Sequence, residues 1–345
     1  GGSAVTGQSI VGATLEQNRF TNIALDAIQL NAVTGNVVIQ DNEFLDDGSQ
    51  DPREGVRVEN FQSQSLSLTF RSNTFSTPDR NMAFDNGLRW LARDSANLTL
   101  VAEDNVVAVQ GGGLALQLTD SAQVLAGVRR NRLEDCQLEG VSILAGTDDS
   151  HRVVSAVAVV DNVFNDNLGS GILLLGQGTD QSLHTWSITG NQIATLGNLG
   201  MTLVRRGASS VDATLGNNQV QGASQVGIQV TSGSASGGFG VPLAGSLRLV
   251  FDSNQVTTTG GSAFALSLVS NTQRLLFSGN SANAPITVLS RSQSSCLAAQ
   301  DNQVGGAFGV TVENGFSLTY DNRGQTTPAV TFGGGGTVTL GPCDI

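Results

Sequence analysis

Twelve asparagines recur along this chain in one local setting, and nothing else in the sequence narrows the fold as much. They are Asn18, Asn42, Asn73, Asn105, Asn131, Asn162, Asn191, Asn218, Asn254, Asn280, Asn302 and Asn322, spaced 20 to 36 residues apart. The unit reads apolar-x-x-Asn-x-apolar, as in Ile39-Gln40-Asp41-Asn42-Glu43-Phe44 and Ile188-Thr189-Gly190-Asn191-Gln192-Ile193. Units of this length bury their apolar faces by stacking on one another rather than around a single centre.

Each unit carries two further strands. A Gly or small residue opens a short alternating segment, such as Gly55-Val56-Arg57-Val58, Gly140-Val141-Ser142-Ile143 or Gly200-Met201-Thr202-Leu203. After a variable loop comes a second, such as Leu66-Ser67-Leu68-Thr69-Phe70, and the Asn corner then leads into a short third strand that turns Phe20, Phe44, Phe75 or Phe164 inward. Period-two alternation on all three predicts an all-β chain in which three strands make one rung of a parallel β-helix. Asn suits the corner because it tolerates left-handed backbone and because its amide both donates and accepts. Identical amides one strand spacing apart, ~4.8 Å, predict an Asn ladder, and about twelve rungs make a rod on the order of 55–60 Å long.

Composition restricts the partners. The net charge is −12, and all 17 basic residues are Arg, so nucleic acid and anionic membrane surfaces are not expected partners. No apolar run is long enough for a membrane span. The start Gly1-Gly2-Ser3 reads as a fragment excised from a longer chain, with residues 1–345 forming a single domain. Cys136, Cys296 and Cys343 show no metal spacing. Cys343 is expected at the ladder position of a last incomplete rung, about two rungs from Cys296 and so beyond disulfide reach. His151 is expected in a polar loop and His184 at the entrance to a second strand, before Trp186, both as solvated bystanders, and Cys136, beside Glu134 and Asp135, is a poor nucleophile.

With these motifs in place, the chain resembles the right-handed parallel β-helix superfamily, which includes pectate lyases, polygalacturonases, phage tailspikes and bacterial surface proteins. The likeness covers roughly residues 5 to 340. It implies a right-handed coil, and it implies that any catalytic residues lie on the first strand of each rung and its bordering loops. The outward residues there are Gln29, Arg57, Arg89, Ala115 with Gln117, Ser142, Leu173, Thr202, Gln229, Ala265, Thr287, Thr311 and Thr331. None is a carboxylate, whereas glycoside hydrolysis needs two. The paired-Asp, Gly-His-Gly and Arg-Ile-Lys motifs of polygalacturonases and the Arg-x-Pro-x-x-Arg motif of pectate lyases are also missing.

The sequence therefore points to a non-catalytic extracellular or cell-surface module, a rigid spacer or an adhesin-like binder of a glycan or protein partner. The alternative is a lyase or epimerase acting on an acidic polysaccharide. No catalytic residue is assigned. Ligand binding is expected across the second and third rungs, through Arg57 and Arg89 at equivalent outward positions, with Asp47, Arg53 and Asp85 on the two long loops beside them; the alternative is that Glu54, Asp85 and their neighbours simply neutralise the two Arg. No cofactor is expected, unless Asp46, Asp47 and Asp51 hold Ca²⁺. The outward residues of the second strands, from Val38 and Thr69 through Ala158 to Leu276 and Ala298, form an uncharged column. Loops 145–155, 176–184 and 231–246 are expected to cover its middle.

Overall fold

The computed structural model describes residues 3–21, 23–45, 54–76, 84–146, 151–233, 244–326 and 328–345. Their regular structure is entirely β: 35 strands, with no helix among the described residues. Strands pair in parallel with their counterparts in the neighbouring repeat. Val5–Gln8 pairs with Ile28–Asn31, which pairs with Glu54–Asn60, which pairs with Asn86–Ala92, and so on through one stack. A second stack runs from Val11–Glu16 and Thr34–Gln40 onward, and together the two make a 24-stranded sheet. The short strands after each Asn form an 11-stranded sheet of their own, the third stack. The first two stacks merge because Ser262–Ser278 and Ile286–Gln300 run unbroken through the bend between them.

Alternation places the apolar residues inside as expected. Phe20, Phe44, Phe75 and Phe164 are buried, and Phe44 and Phe75 stack nearly parallel at 4.1 Å between centroids. The glycine that opens each first strand has a steric cause. A β-carbon at Gly140 would lie 2.5 Å from the Phe164 ring, and one at Gly113 would lie 2.5 Å from the Gly140 carbonyl oxygen. The chain bends so closely over the third stack there that a side chain does not fit.

The amide ladder is continuous. From Asn18 to Asn302, each ladder Asn donates its side-chain Nδ2–H (2.8–3.0 Å) to the side-chain oxygen of the next ladder residue. Its backbone N–H donates to the same oxygen at 2.8–3.2 Å. From Asn42 onward Nδ2 also donates to a backbone carbonyl of the preceding repeat, Leu15 for Asn42 and Ile39 for Asn73. Every polar atom of these buried amides is thereby satisfied, as burial requires.

Two details of the ladder differ from expectation. The left-handed residue is the one before each Asn: Gln17, Asp41, Ser72, Asp104, Arg130, Asp161, Gly190, Asn217, Ser253, Gly279 and Asp301, with φ between 51 and 69°. Asn is thus selected for its amide, and its neighbour makes the corner. The ladder also ends on Gln325, not Asn322. Strand register pairs Leu297 with Tyr320, so Asn322 falls three residues short of the position facing Asn302. Gln325 accepts from Asn302 and turns its Nε2 back to the carbonyls of Asn302 (2.9 Å) and Pro328 (3.2 Å), closing the ladder at that end.

The C-terminal tail corrects a further expectation. Cys296 and Cys343 form a disulfide with a Cα–Cα distance of 5.8 Å. Counting strand spacings along the axis placed them too far apart because Cys343 does not continue the stack. After Thr337–Leu340 the chain turns back at Gly341-Pro342. The Cys343 N–H donates to Asp321 Oδ2, and Arg323 donates to the Cys343 carbonyl. Asp321 is the register partner of Ala298, and the outward Ala298 is fully buried where this tail lies.

Candidate functional site

Arg57 and Arg89 stand opposite each other on adjacent first-stack strands, with Gln29 before them and Ala115 after. The column continues as read through Thr287, but its next member is Gly309 and not Thr311, which lies two residues along. Both Arg side chains are partly exposed, at 31% and 48%. Two guanidiniums one strand spacing apart repel, and here the chain itself supplies the answering charge. Glu59, two residues along and hence on the same face, binds Arg57 through Nε at 2.9 Å and through Nη2. Asp26 lies 4.0 Å from Arg57 Nη1. Glu54 accepts from Arg89 Nη1 at 2.9 Å and from Asn86 Nδ2 at 2.8 Å. Asp26 in turn accepts the Glu54 backbone N–H. The Glu59 carboxylate, followed by the charges of Asp26 and Glu54, raises the Arg57 pKa against the opposing effect of burial.

Among the described residues the cluster sets three carboxylates against two guanidiniums, and Asp26 and Glu54 are only 4% and 3% exposed. Those two carboxylates are fixed in place, so both guanidiniums already have an answering charge from the chain. Asp85 lies exposed on the same edge. Asp47 and Arg53, and the Asp46, Asp47 and Asp51 group considered for Ca²⁺, lie outside the described residues. Glu59 was legible in the sequence, since alternation puts i and i+2 on one face. Glu54, which opens the strand Glu54–Asn60, was also legible as a neutralising neighbour, whereas Asp26 lies between strands, where alternation carries no information.

The interior holds polar groups that the sequence placed elsewhere. His184 stands at the start of the strand Leu183–Thr189 as expected, but it is fully buried on the inward side and not solvated, with Nδ1 2.8 Å from Ser155 Oγ. Its ring packs on Gly176, and Nε2 faces the Gln177 backbone outside good hydrogen-bond geometry. Burial first, and the nearby Arg205 charge second, lower its pKa to about 4. Arg205 is itself 1% exposed and has no carboxylate within ion-pair distance among the described residues. It donates to the carbonyls of Ser209, Ala244 and Val269 and to Ser232 Oγ, and burial pulls its pKa down to about 10. Cys136 is buried, and desolvation ahead of its acidic neighbours pushes the thiol up to about 12, which leaves it inert.

His184 gives the fold an acid sensitivity with a definite sign. Between pH 6.5 and 4 the unfolded chain takes up a proton that the folded chain refuses, so stability falls on acidification through that window. The loss approaches roughly 3 kcal/mol at pH 4, at 1.36 kcal/mol per pKa unit. Replacing His184 by Gln is expected to flatten the pH dependence of the thermal midpoint between pH 7 and 4 relative to wild type. Parallel curves for the two proteins would refute the assignment.

The outer face of the second stack has the column expected, Val38-Thr69-Val101-Gly127-Ala158-Ser187-Thr214-Val250-Leu276-Ala298 in unbroken register. Among the described residues nothing covers the stretch around Leu125 and Leu183, and residues 147–150 and 234–243, within two of the loops expected to cover the middle, lie outside the described residues. Leu125 is 58% exposed and Leu183 47%, and shallow depressions of about 580 and 330 Å³ lie along it. The cover at its C-terminal end comes from the disulfide-linked tail. In comparisons with family models, characterised proteins and solved structures, this chain matches none.

Proposed function

We propose that the stacked repeats form a right-handed parallel β-helix of about twelve rungs, related in architecture to the superfamily the sequence resembles. In this reading the protein is a non-catalytic extracellular or cell-surface module, a rigid spacer that also binds a glycan or partner. The observation that carries it is the fate of the first-stack charges. Arg57, Arg89, Asp26, Glu54 and Glu59 are spent on one another, and Asn86 takes the remaining Glu54 oxygen. Groups engaged in this way stiffen a surface and leave no free acid and base to act on a substrate. The Cys296–Cys343 disulfide supports an oxidising compartment, and the unbroken ladder supports a stiff rod.

The alternative of a lyase or epimerase on an acidic sugar would need one of these carboxylates or guanidiniums released. Incubation with uronic-acid polymers is expected to yield no unsaturated or epimerised product. Turnover on any of them would overturn the non-catalytic reading. Scattering in solution is expected to give an elongated particle, and a compact globular profile would contradict the proposed architecture.

A further inference from the structure

The third stack presents a face unlike the other two. One of its outward columns runs Gln192, Gln219, Gln255, Ser281 and Gln303 in register, and all five residues are exposed. The column beside it, Ala194, Gln221 and Thr257, is exposed as well. Neither holds a charged residue, in a chain whose net charge is −12. In the turns that lead from this face to the first stack, Leu138, Leu168 and Leu196 are 55%, 54% and 61% exposed. The Leu168 N–H donates to the Cys136 carbonyl and the Leu196 N–H to the Asn167 carbonyl, so the turns stack as the strands do. Leu168 and Leu196 thereby stand at equivalent positions one repeat apart. Next to Leu196 the surface sinks into a hollow of about 560 Å³ lined by Ala194, Thr195, Gln221, Gly222 and Thr257, with the exposed Asp166 as its one charged lining residue.

Neighbouring exposed leucines form the kind of apolar patch that marks an interface. The patch carries both a knob, Leu196, and a nearly uncharged hollow that accepts one, so it is complementary to a copy of itself. The Gln column is self-complementary too, because each amide both donates and accepts. Copies of a strongly acidic chain repel one another over most of their surface, and the repulsion is least where neither presents charge. We infer that this third-stack face pairs with the same face of a second copy, in a dimer about a two-fold axis through the hollow. Leu196 of each copy then enters the hollow of the other, and the Gln amides bridge between the two sheets as in stacked polar ladders. The axis is perpendicular to the stacking direction, so the two stacks run antiparallel. Asp166 stays at the rim, where charged groups keep their water. Five repeats at ~4.8 Å span about 19 Å, and that length by a strand and turn of ~15 Å covers roughly 300 Å² per partner. Standard interfaces bury ~800 Å² per partner, so the dimer is weak and dissociates in the micromolar range or above. The inference goes beyond the module reading above and does not rest on it.

The test is sedimentation equilibrium of the full chain at physiological salt, from about 5 μM to about 1 mM. Wild type is expected to pass from monomer to dimer within that range, with no larger species. L196D should weaken dimerisation by on the order of tenfold or more, because two leucines lose their burial in one event. Q221E should weaken it as well, by setting like charges near the two-fold axis. L125D, at a similarly exposed leucine on the second stack, should leave it unchanged. Raising the salt to about 1 M should tighten the dimer, since it screens the repulsion between acidic copies. Thermal midpoints of the three variants should match wild type, because all three side chains are exposed. A wild type that stays monomeric throughout, open-ended growth, L196D and Q221E that dimerise as wild type does, equal weakening by L125D, or a dimer that salt dissociates would each overturn the inference. None of these results bears on the non-catalytic reading, which turnover on uronic-acid polymers tests separately.

Discussion

Replacing Asn131 by Ala is expected to lower the free energy of unfolding by roughly 3–5 kcal/mol, although the change removes little apolar contact. Asn131 Oδ1 accepts both the backbone N–H and Nδ2–H of Asn105, and its own Nδ2 donates to the Ala102 carbonyl and to Asn162 Oδ1. Truncation strands two donors and two acceptors at a site 1% exposed. Each buried unsatisfied group costs about 1–3 kcal/mol, partly relieved by relaxation or an entering water. Asn131→Asp should also destabilise, since the isosteric carboxylate keeps the acceptor but turns a lone pair toward Asn162 Oδ1. Asn18→Ala is the control, because Asn18 is exposed at the open end of the ladder. It should cost about 1 kcal/mol or less. Equal losses for Asn18 and Asn131 in chemical denaturation would mean that amide continuity is not what stabilises the stack.

The second large effect is expected from Cys296→Ser. The disulfide joins residues 47 apart in sequence, and closing a loop of that size constrains the unfolded chain by about 4 kcal/mol in the entropic account. In stacked repeats that effect should stay near the link, because each repeat contacts only its neighbours. Hydrogen exchange should therefore accelerate in the last strands, Phe308–Val312 to Thr337–Leu340, with protection unchanged around the Asn131 repeat. Reductant should reproduce the effect in wild type and add nothing in the variant. Uniform loss of protection along the chain would contradict the local character of the link.

Much of this architecture can be read without coordinates because its determinants are local. Alternation assigns faces, and the Asn corner counts repeats, so the outward first-stack column from Gln29 to Thr287 and the second-stack column from Val38 to Ala298 both match the observed register. The inward Phe20, Phe44, Phe75 and Phe164 follow from the same two rules. The candidate site was legible only in part. Arg57 and Arg89 were placed side by side correctly and Glu54 was legible as a neutralising neighbour, but Asp26 lies between strands, outside any period, and its place beside Arg57 came only from the structure.

What the sequence determined by itself is therefore the repeat, the buried amide ladder and the side each strand residue faces. These depend on backbone geometry over a few residues, and hydrogen bonding repeats them identically in each unit. Only the tertiary structure decided where the ladder stops, that Cys343 doubles back to Cys296 and that His184 lies inside. Each of these depends on the path of a turn or loop of irregular length, and a period in sequence does not specify how far such a segment carries the chain before it rejoins the stack.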